Sequence, residues 1–175
     1  MKFIWNVIFF GSVFVSVIDS SNAFSAQVAI IIDDVGYKQS DRKVLSLPPQ
    51  ITLSILPFTP LATELAEQAH QQGHEIMLHF PMQSLNGKRL GIGGIDNSMT
   101  KQQICLAIEQ AISSIPQVKG LNNHMGSLLT QLEMPMSWIM EILNRHQLYF
   151  IDSSTTRYTK ARTIADHFDV PNLKR

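Results

Sequence analysis

The sequence predicts an α/β fold built on a parallel sheet with crossover helices, open or closed into a barrel. Two observations carry that expectation. Short apolar runs of strand length alternate along the chain with stretches whose apolar residues recur at helical spacing. The C-terminal ends of those runs, where parallel α/β folds gather functional groups, read Asp33-Asp34, Pro57, His79, Asn123-His124 and Asp152. All but one of these strands thus deliver an acid-base or metal-competent residue to a common rim.

Each element has its own signal. Val28 to Ile32 is apolar and β-branched, as suits a strand buried on both faces. Ile51 to Leu56 repeats the pattern until Pro57 and Pro60 interrupt it. Leu61, Leu65, Ala66 and Ala69 mark a helix that Gly73 stops, and Glu75 to His79 is a third strand. Ser84 to Ser98 is a polar, glycine-rich loop, long enough to signal function or mobility. Thr100 and Gln103 form a capping box, and Met99 and Ile104 a hydrophobic staple. The stripe Ile104, Ala107, Ile108, Ala111, Ile112, Ile115 continues that helix to Pro116. Val118 to Leu121 is a fourth strand, Pro135 to about Arg145 a helix, and Leu148 to Ile151 a fifth strand. Ala161 to Phe168 reads as helical, and Val170 opens a sixth strand.

A chain of 175 residues holds one domain with a real core and is too short for two of ordinary size. Acidic and basic side chains balance at 14 each, so no global field draws nucleic acid, whereas an uncharged sugar polymer is compatible. Met1-Lys2 precedes a nearly continuous apolar run from Phe3 to Ile18, and Ser21 and Ala23 supply a small-x-small cleavage pattern. The expectation is a signal peptide over residues 1–23 and a mature domain over 24–175, exported to the periplasm or cell envelope. No membrane span would remain after cleavage; an uncleaved anchor is the competing reading. Cys105 is the only cysteine, so internal disulfides are excluded and any metal site must use His and carboxylates. On its apolar-periodic helix it reads as a small buried hydrophobe. Nothing in the pattern specifies an oligomeric state.

The candidate residues each have two readings. Adjacent acids after an apolar strand repel unless a cation or proton separates them, which fits one metal ligand and one base. Equally, Asp33 or Asp34 could cap the turn before Gly36. His79 stands in an apolar neighbourhood, the usual place for a structural core histidine. His124 lies in the polar stretch Asn122-Asn123-His124-Met125-Gly126-Ser127, which suits a site better. Two histidines and an aspartate are a normal ligand set for a catalytic zinc that keeps a water. His70, His74, His146 and His167 read as surface or local structural residues, and Gly91 to Gly94 as a flexible loop without a phosphate-binding pattern.

These residues resemble a known family. Ile31 to Tyr37 around Asp33-Asp34, Gly73 to Met82 around His79, Gly120 to Ser127 around His124 and Phe150 to Thr156 around Asp152 look like the ordered motifs of the divergent polysaccharide deacetylases. The resemblance runs from about Val28 to Arg175. It implies an irregular parallel (β/α) barrel and metal-dependent removal of acetyl groups from sugars. Carried over by motif, Asp33 is the base and Asp34 a metal ligand. The family's second histidine, four residues after the first, is replaced here by Gln83. Where relatives offer an arginine that orients the base, the matching stretch offers His124, which would complete a ligand set of Asp34, His79 and His124. Asn123 and Asp152 would bind or orient substrate, with local turn bonding the alternative for Asp152. Relatives continue past the Val170-Pro171 strand to a further strand-helix unit and a Gly-His-Pro motif. The expectation for a chain ending at Arg175 is therefore a barrel without its last strand or that histidine.

The function expected is carbohydrate metabolism: hydrolytic deacetylation of an envelope polysaccharide or glycan, with a divalent metal, zinc by preference. The alternative is a non-catalytic glycan-binding or envelope-organising protein that reuses the fold.

Overall fold

The computed structural model describes residues 28–175. The expected signal peptide, residues 1–23, and its cleavage point lie outside the described residues. Strands and helices alternate as β1 (Ile31–Val35), β2 (Thr52–Ile55), α1 (Ala62–Gln71), β3 (Ile76–Met82), α2 (Lys101–Ser114), β4 (Val118–Met125), α3 (Glu133–Arg145), β5 (Tyr149–Asp152), α4 (Ala161–His167) and β6 (Asn172–Lys174). The strands form one sheet in sequence order, and every neighbouring pair is parallel. No helix among the described residues is long and apolar enough to cross a membrane.

The core lies between the sheet and its helices. Ile76, Leu78, Phe80 and Met82, alternate residues of β3, join Leu65, Ile104, Ile108, Ile139 and Leu143 from the helices in one buried cluster. Each such aliphatic side chain contributes roughly 1.5–3 kcal/mol through burial. The start of α2 follows its sequence signal: Gln103 N–H donates to Thr100 Oγ1 (3.3 Å) and Thr100 N–H to Gln103 Oε1 (2.8 Å). Gly120 admits β5 close to β4, because a Cβ there would meet the Tyr149 ring at 2.3 Å.

The opposite face of the strands is polar toward its C-terminal end, and the sheet curls around it. Asn122 of β4 reaches Asp33 of β1 at 2.9 Å. Three strand spacings would separate these strands by roughly 14 Å in a flat sheet, so the contact requires barrel-like curvature.

Three strand boundaries differ from the sequence reading in a way that bears on function. β1 begins three residues later than expected and is an edge strand, and Val28 and Ile30, which precede it, are 86% and 51% exposed. The double burial expected of Val28 to Ile32 is therefore corrected. β3 and β4 run on to Met82 and Met125, so His79 lies within its strand and His124 one residue before the end of its own.

Candidate metal centre

The site begins with a bulge. Ile32 pairs with Leu53 and Val35 with Ile55, so Asp33 and Asp34 together oppose the single residue Ser54. Successive residues of a regular strand point to opposite faces, which would separate two adjacent acids. The extra residue, with Asp34 at φ 61° in the left-handed region, turns both carboxylates into the same cleft. Aspartate tolerates that conformation better than most residues do. The turn that follows is held by Asp41, whose Oδ2 accepts the N–H groups of Gly36 (3.0 Å) and Lys38 (2.9 Å). Gly36, at φ 129°, has no room for a side chain, since a Cβ would lie 2.1 Å from Thr59 Oγ1. Capping of this turn thus belongs to Asp41, leaving Asp33 and Asp34 to the cleft.

Three donor atoms from three strands converge there. Asp34 Oδ1 lies 3.1 Å from His79 Nε2 and 2.9 Å from His124 Nδ1, and the two imidazole nitrogens are 3.1 Å apart. The rings meet edge to face, with centroids 4.9 Å apart. His79 is buried and His124 half-buried. Contact with His79 holds the Asp34 carboxyl below the usual carboxylate range, against the opposing pull of partial burial. Burial, reinforced by the neighbouring His79, pushes His124 below the usual histidine range, a direction that favours the neutral ring a metal ligand needs.

Asn122, fully buried, organises the layer beneath. Its Oδ1 accepts from Ser54 Oγ (2.6 Å) and from His79 Nδ1 (2.7 Å), while its Nδ2 donates to Asp33 Oδ1 (2.9 Å). Because Oδ1 can only accept, the His79 proton is fixed on Nδ1, and Nε2 is the nitrogen turned toward Asp34 and His124. The other oxygen of Asp33 takes a charge-assisted hydrogen bond from the Arg175 guanidinium, which also donates to Ser153 Oγ (3.2 Å). Arg175 follows β6, and its N–H donates to the Asp152 carbonyl at 3.2 Å. It thus ties the tip of one edge strand to the other.

The donor set fits a divalent cation. Ligands of a tetrahedral zinc with bonds of ~2.0–2.1 Å stand roughly 3.3 Å apart, close to the 2.9–3.1 Å spacings here. A carboxylate and two ring nitrogens brought this close, with His79 already donating elsewhere, suit a cation better than one another. Asp34, His79 and His124 are the only such cluster among the described residues.

Two expected residues take other roles. Asn123 is 1% exposed, on the face of β4 opposite Asn122 and His124. Its Nδ2 donates to the Met125 carbonyl (2.6 Å) and its Oδ1 accepts from Ser153 N–H (2.9 Å), so it locks β5 to β4 and offers nothing to a substrate. Asp152, also buried, accepts the Ser154 N–H at 2.8 Å, the local turn bonding held as its alternative. Gln83 stands outside the cluster and accepts the Asn97 N–H at 2.8 Å, pinning the long loop. The sequence reading missed Asn122, Ser54 and Arg175. The alternation of β4 could have paired Asn122 with His124; Arg175 carried no signal of its own.

The comparisons agree with this architecture. Residues 30–175 match a family model described as divergent polysaccharide deacetylase. The uncharacterized protein YibQ of Escherichia coli is 37% identical over 157 residues, covering 89% of this chain and 49% of its own length. An uncharacterized protein of Haemophilus influenzae is 33% identical over 165 residues, covering 93% of this chain and 59% of its own. The chain therefore spans about half the length of the curated relatives it matches. Among solved structures, ATU2773 from Agrobacterium tumefaciens superposes with a TM-score of 0.82 at 21% identity, over 88% of this chain and 64% of that one. A lactam utilization protein from Thermus thermophilus gives 0.63 at 13% identity, over 85% of this chain and 66% of that one. At those identities the likeness is one of fold.

Proposed function

The chain belongs to the divergent polysaccharide deacetylase family, a carbohydrate-related family, and from that premise we propose that it is an exported, metal-dependent hydrolase of acetylated envelope glycans. The observation that carries this reading is the convergence of Asp34, His79 and His124, with a second carboxylate, Asp33, held separately beside them. Those three residues would hold a divalent metal, which would supply Lewis acidity toward an acyl oxygen and lower the pKa of water at the site.

The chain's own groups then divide the labour. Asp33 takes the proton of the attacking water, its two oxygens held by Asn122 and Arg175. Asn122 keeps His79 in the tautomer that presents Nε2. When the acyl bond breaks, the proton on Asp33 is returned to the departing nitrogen or oxygen of the sugar. The cleft, about 480 Å³ and lined on one side by Asp33, Asp34 and His124, has room for a sugar unit beside these groups.

The test measures bound zinc and acetate release from acetylated oligosaccharides. Stoichiometric zinc, with acetate release that Asp33→Asn abolishes without loss of metal, is the expected result. Sugar binding without any acetate release would favour the non-catalytic glycan-binding or envelope-organising reading.

A further inference from the structure

The cleft carries charge that hydrolysis does not use. Its three acids are all engaged: Asp33 by Asn122 and Arg175, Asp34 by two imidazoles, and Asp41 by two backbone N–H groups. Its two wall cations, Lys38 and Arg89, are both exposed, and neither has a carboxylate within ion-pairing distance among the described residues. They come from different segments, the turn after β1 and the long loop after β3. Those segments meet beside Tyr37: a Cβ built on Gly91 would lie 3.7 Å from its hydroxyl. Tyr37 is 47% exposed and lines the same cleft. An exposed tyrosine face packs against the apolar side of a sugar ring, and uncommitted cations on either segment attract a carboxylate.

We propose that this cleft selects an anionic glycan, a sugar chain bearing carboxylates, with Lys38 and Arg89 as the specificity-determining residues and Tyr37 as the ring platform. The inference rests on the reading of the cleft as a glycan site. It does not require that the glycan be hydrolysed. Overall charge balance hides such a preference, because it is local: each acid of the cleft already accepts hydrogen bonds, whereas Lys38 and Arg89 have no carboxylate partner among the described residues.

Matched probes test it. Hyaluronan tetrasaccharide, which carries carboxylates, and chitotetraose, which is neutral, are titrated calorimetrically into the full chain. Wild type, Lys38→Gln, Arg89→Gln and the double variant are compared. The wild type should prefer the anionic probe by about tenfold, and roughly 0.5 M salt should erase the preference, since screening then acts over only a few ångströms. The double variant should lose the preference while keeping its chitotetraose affinity, melting temperature and zinc content. Equal wild-type affinities, a preference that survives the double substitution, or no binding of the anionic probe would overturn the proposal. Acetate release from a neutral oligomer that ignores both substitutions would uphold the hydrolase and defeat this selectivity. Charge-dependent binding with no acetate release from any probe would do the reverse.

Discussion

Replacing Asn122 by leucine tests the whole construction of the site. The substitution keeps approximate volume and removes three hydrogen bonds. Asp33 is partly exposed and retains Arg175, so its lost bond is replaced by water at little cost. Ser54 and His79 are buried, at 0% and 3% exposure, and each is left with a donor facing a methyl group. An unsatisfied buried polar group costs roughly 1–3 kcal/mol, so two cost about 2–6 kcal/mol, reduced somewhat by the leucine's own burial. A net loss of about 2–4 kcal/mol lowers the melting temperature of a domain this size by roughly 5–15 °C. Zinc affinity should fall about 10–100-fold as well, because His79 no longer has its proton fixed on Nδ1.

Calorimetric melting of metal-free protein and a competitive zinc titration read the two effects separately. Asn122→Asp is the informative companion. It can still accept from Ser54 and His79 but sets a carboxylate against Asp33, so it should retain more zinc affinity than the leucine variant while losing hydrolysis. A leucine variant that melts within about 1 °C of wild type and binds zinc equally well would show that the Asn122 network organises nothing.

Four further outcomes are expected. Alanine at Asp34, His79 or His124 should each remove most bound zinc, whereas Asp33→Ala should spare it; zinc retention equal to wild type in His79→Ala and His124→Ala would break the ligand set. Arg175→Gln should lower kcat by about tenfold or more with little change in zinc content, and Arg175→Lys should recover part of it, as expected of a group that positions Asp33; loss of zinc instead would give it a structural role. Burial and Glu75, whose Oε1 accepts the Tyr149 hydroxyl at 2.6 Å, push the Tyr149 phenol well up. Its stability contribution is therefore complete below the usual tyrosine pKa of about 10 and lost as pH rises through its folded value. One of the three tyrosines should accordingly resist ionisation in a phenolate absorbance titration of the folded protein. Protein recovered from the periplasm should begin at Phe24 by N-terminal sequencing; an intact Met1 in the membrane fraction would favour an anchor.

The order of elements was legible because local rules and the fold agree. The capping box and staple of α2, and the alternation of apolar runs with helical stripes, need no tertiary information. Burial is different. Val28 to Ile32 has the composition of a central strand, yet Val28 and Ile30 are exposed ahead of the strand, and β1 itself forms an edge of the sheet. Edge or centre is decided by neighbours distant in sequence, and no periodicity encodes it.

The site divides in the same way. Asp34, His79 and His124 were accessible as residue types at strand ends, although their strands run further than the apolar pattern indicates. Polar residues on a curled sheet's inner face break the apolar run without ending the strand, which is why Asn122 and His124 read as a turn. Once β4 is extended to Met125, strict alternation assigns Asn122 and His124 to one face and Asn123 to the other, and the exchange of roles between the two asparagines follows. The bulge at Asp33-Asp34 does the opposite, suspending alternation so that neighbours in sequence share a cleft. Arg175 depends on neither rule. It reaches Asp33 only because the sheet curls far enough to bring its two edges together, so the residue that holds the proposed base is set by the closure of the fold and by nothing local to either partner.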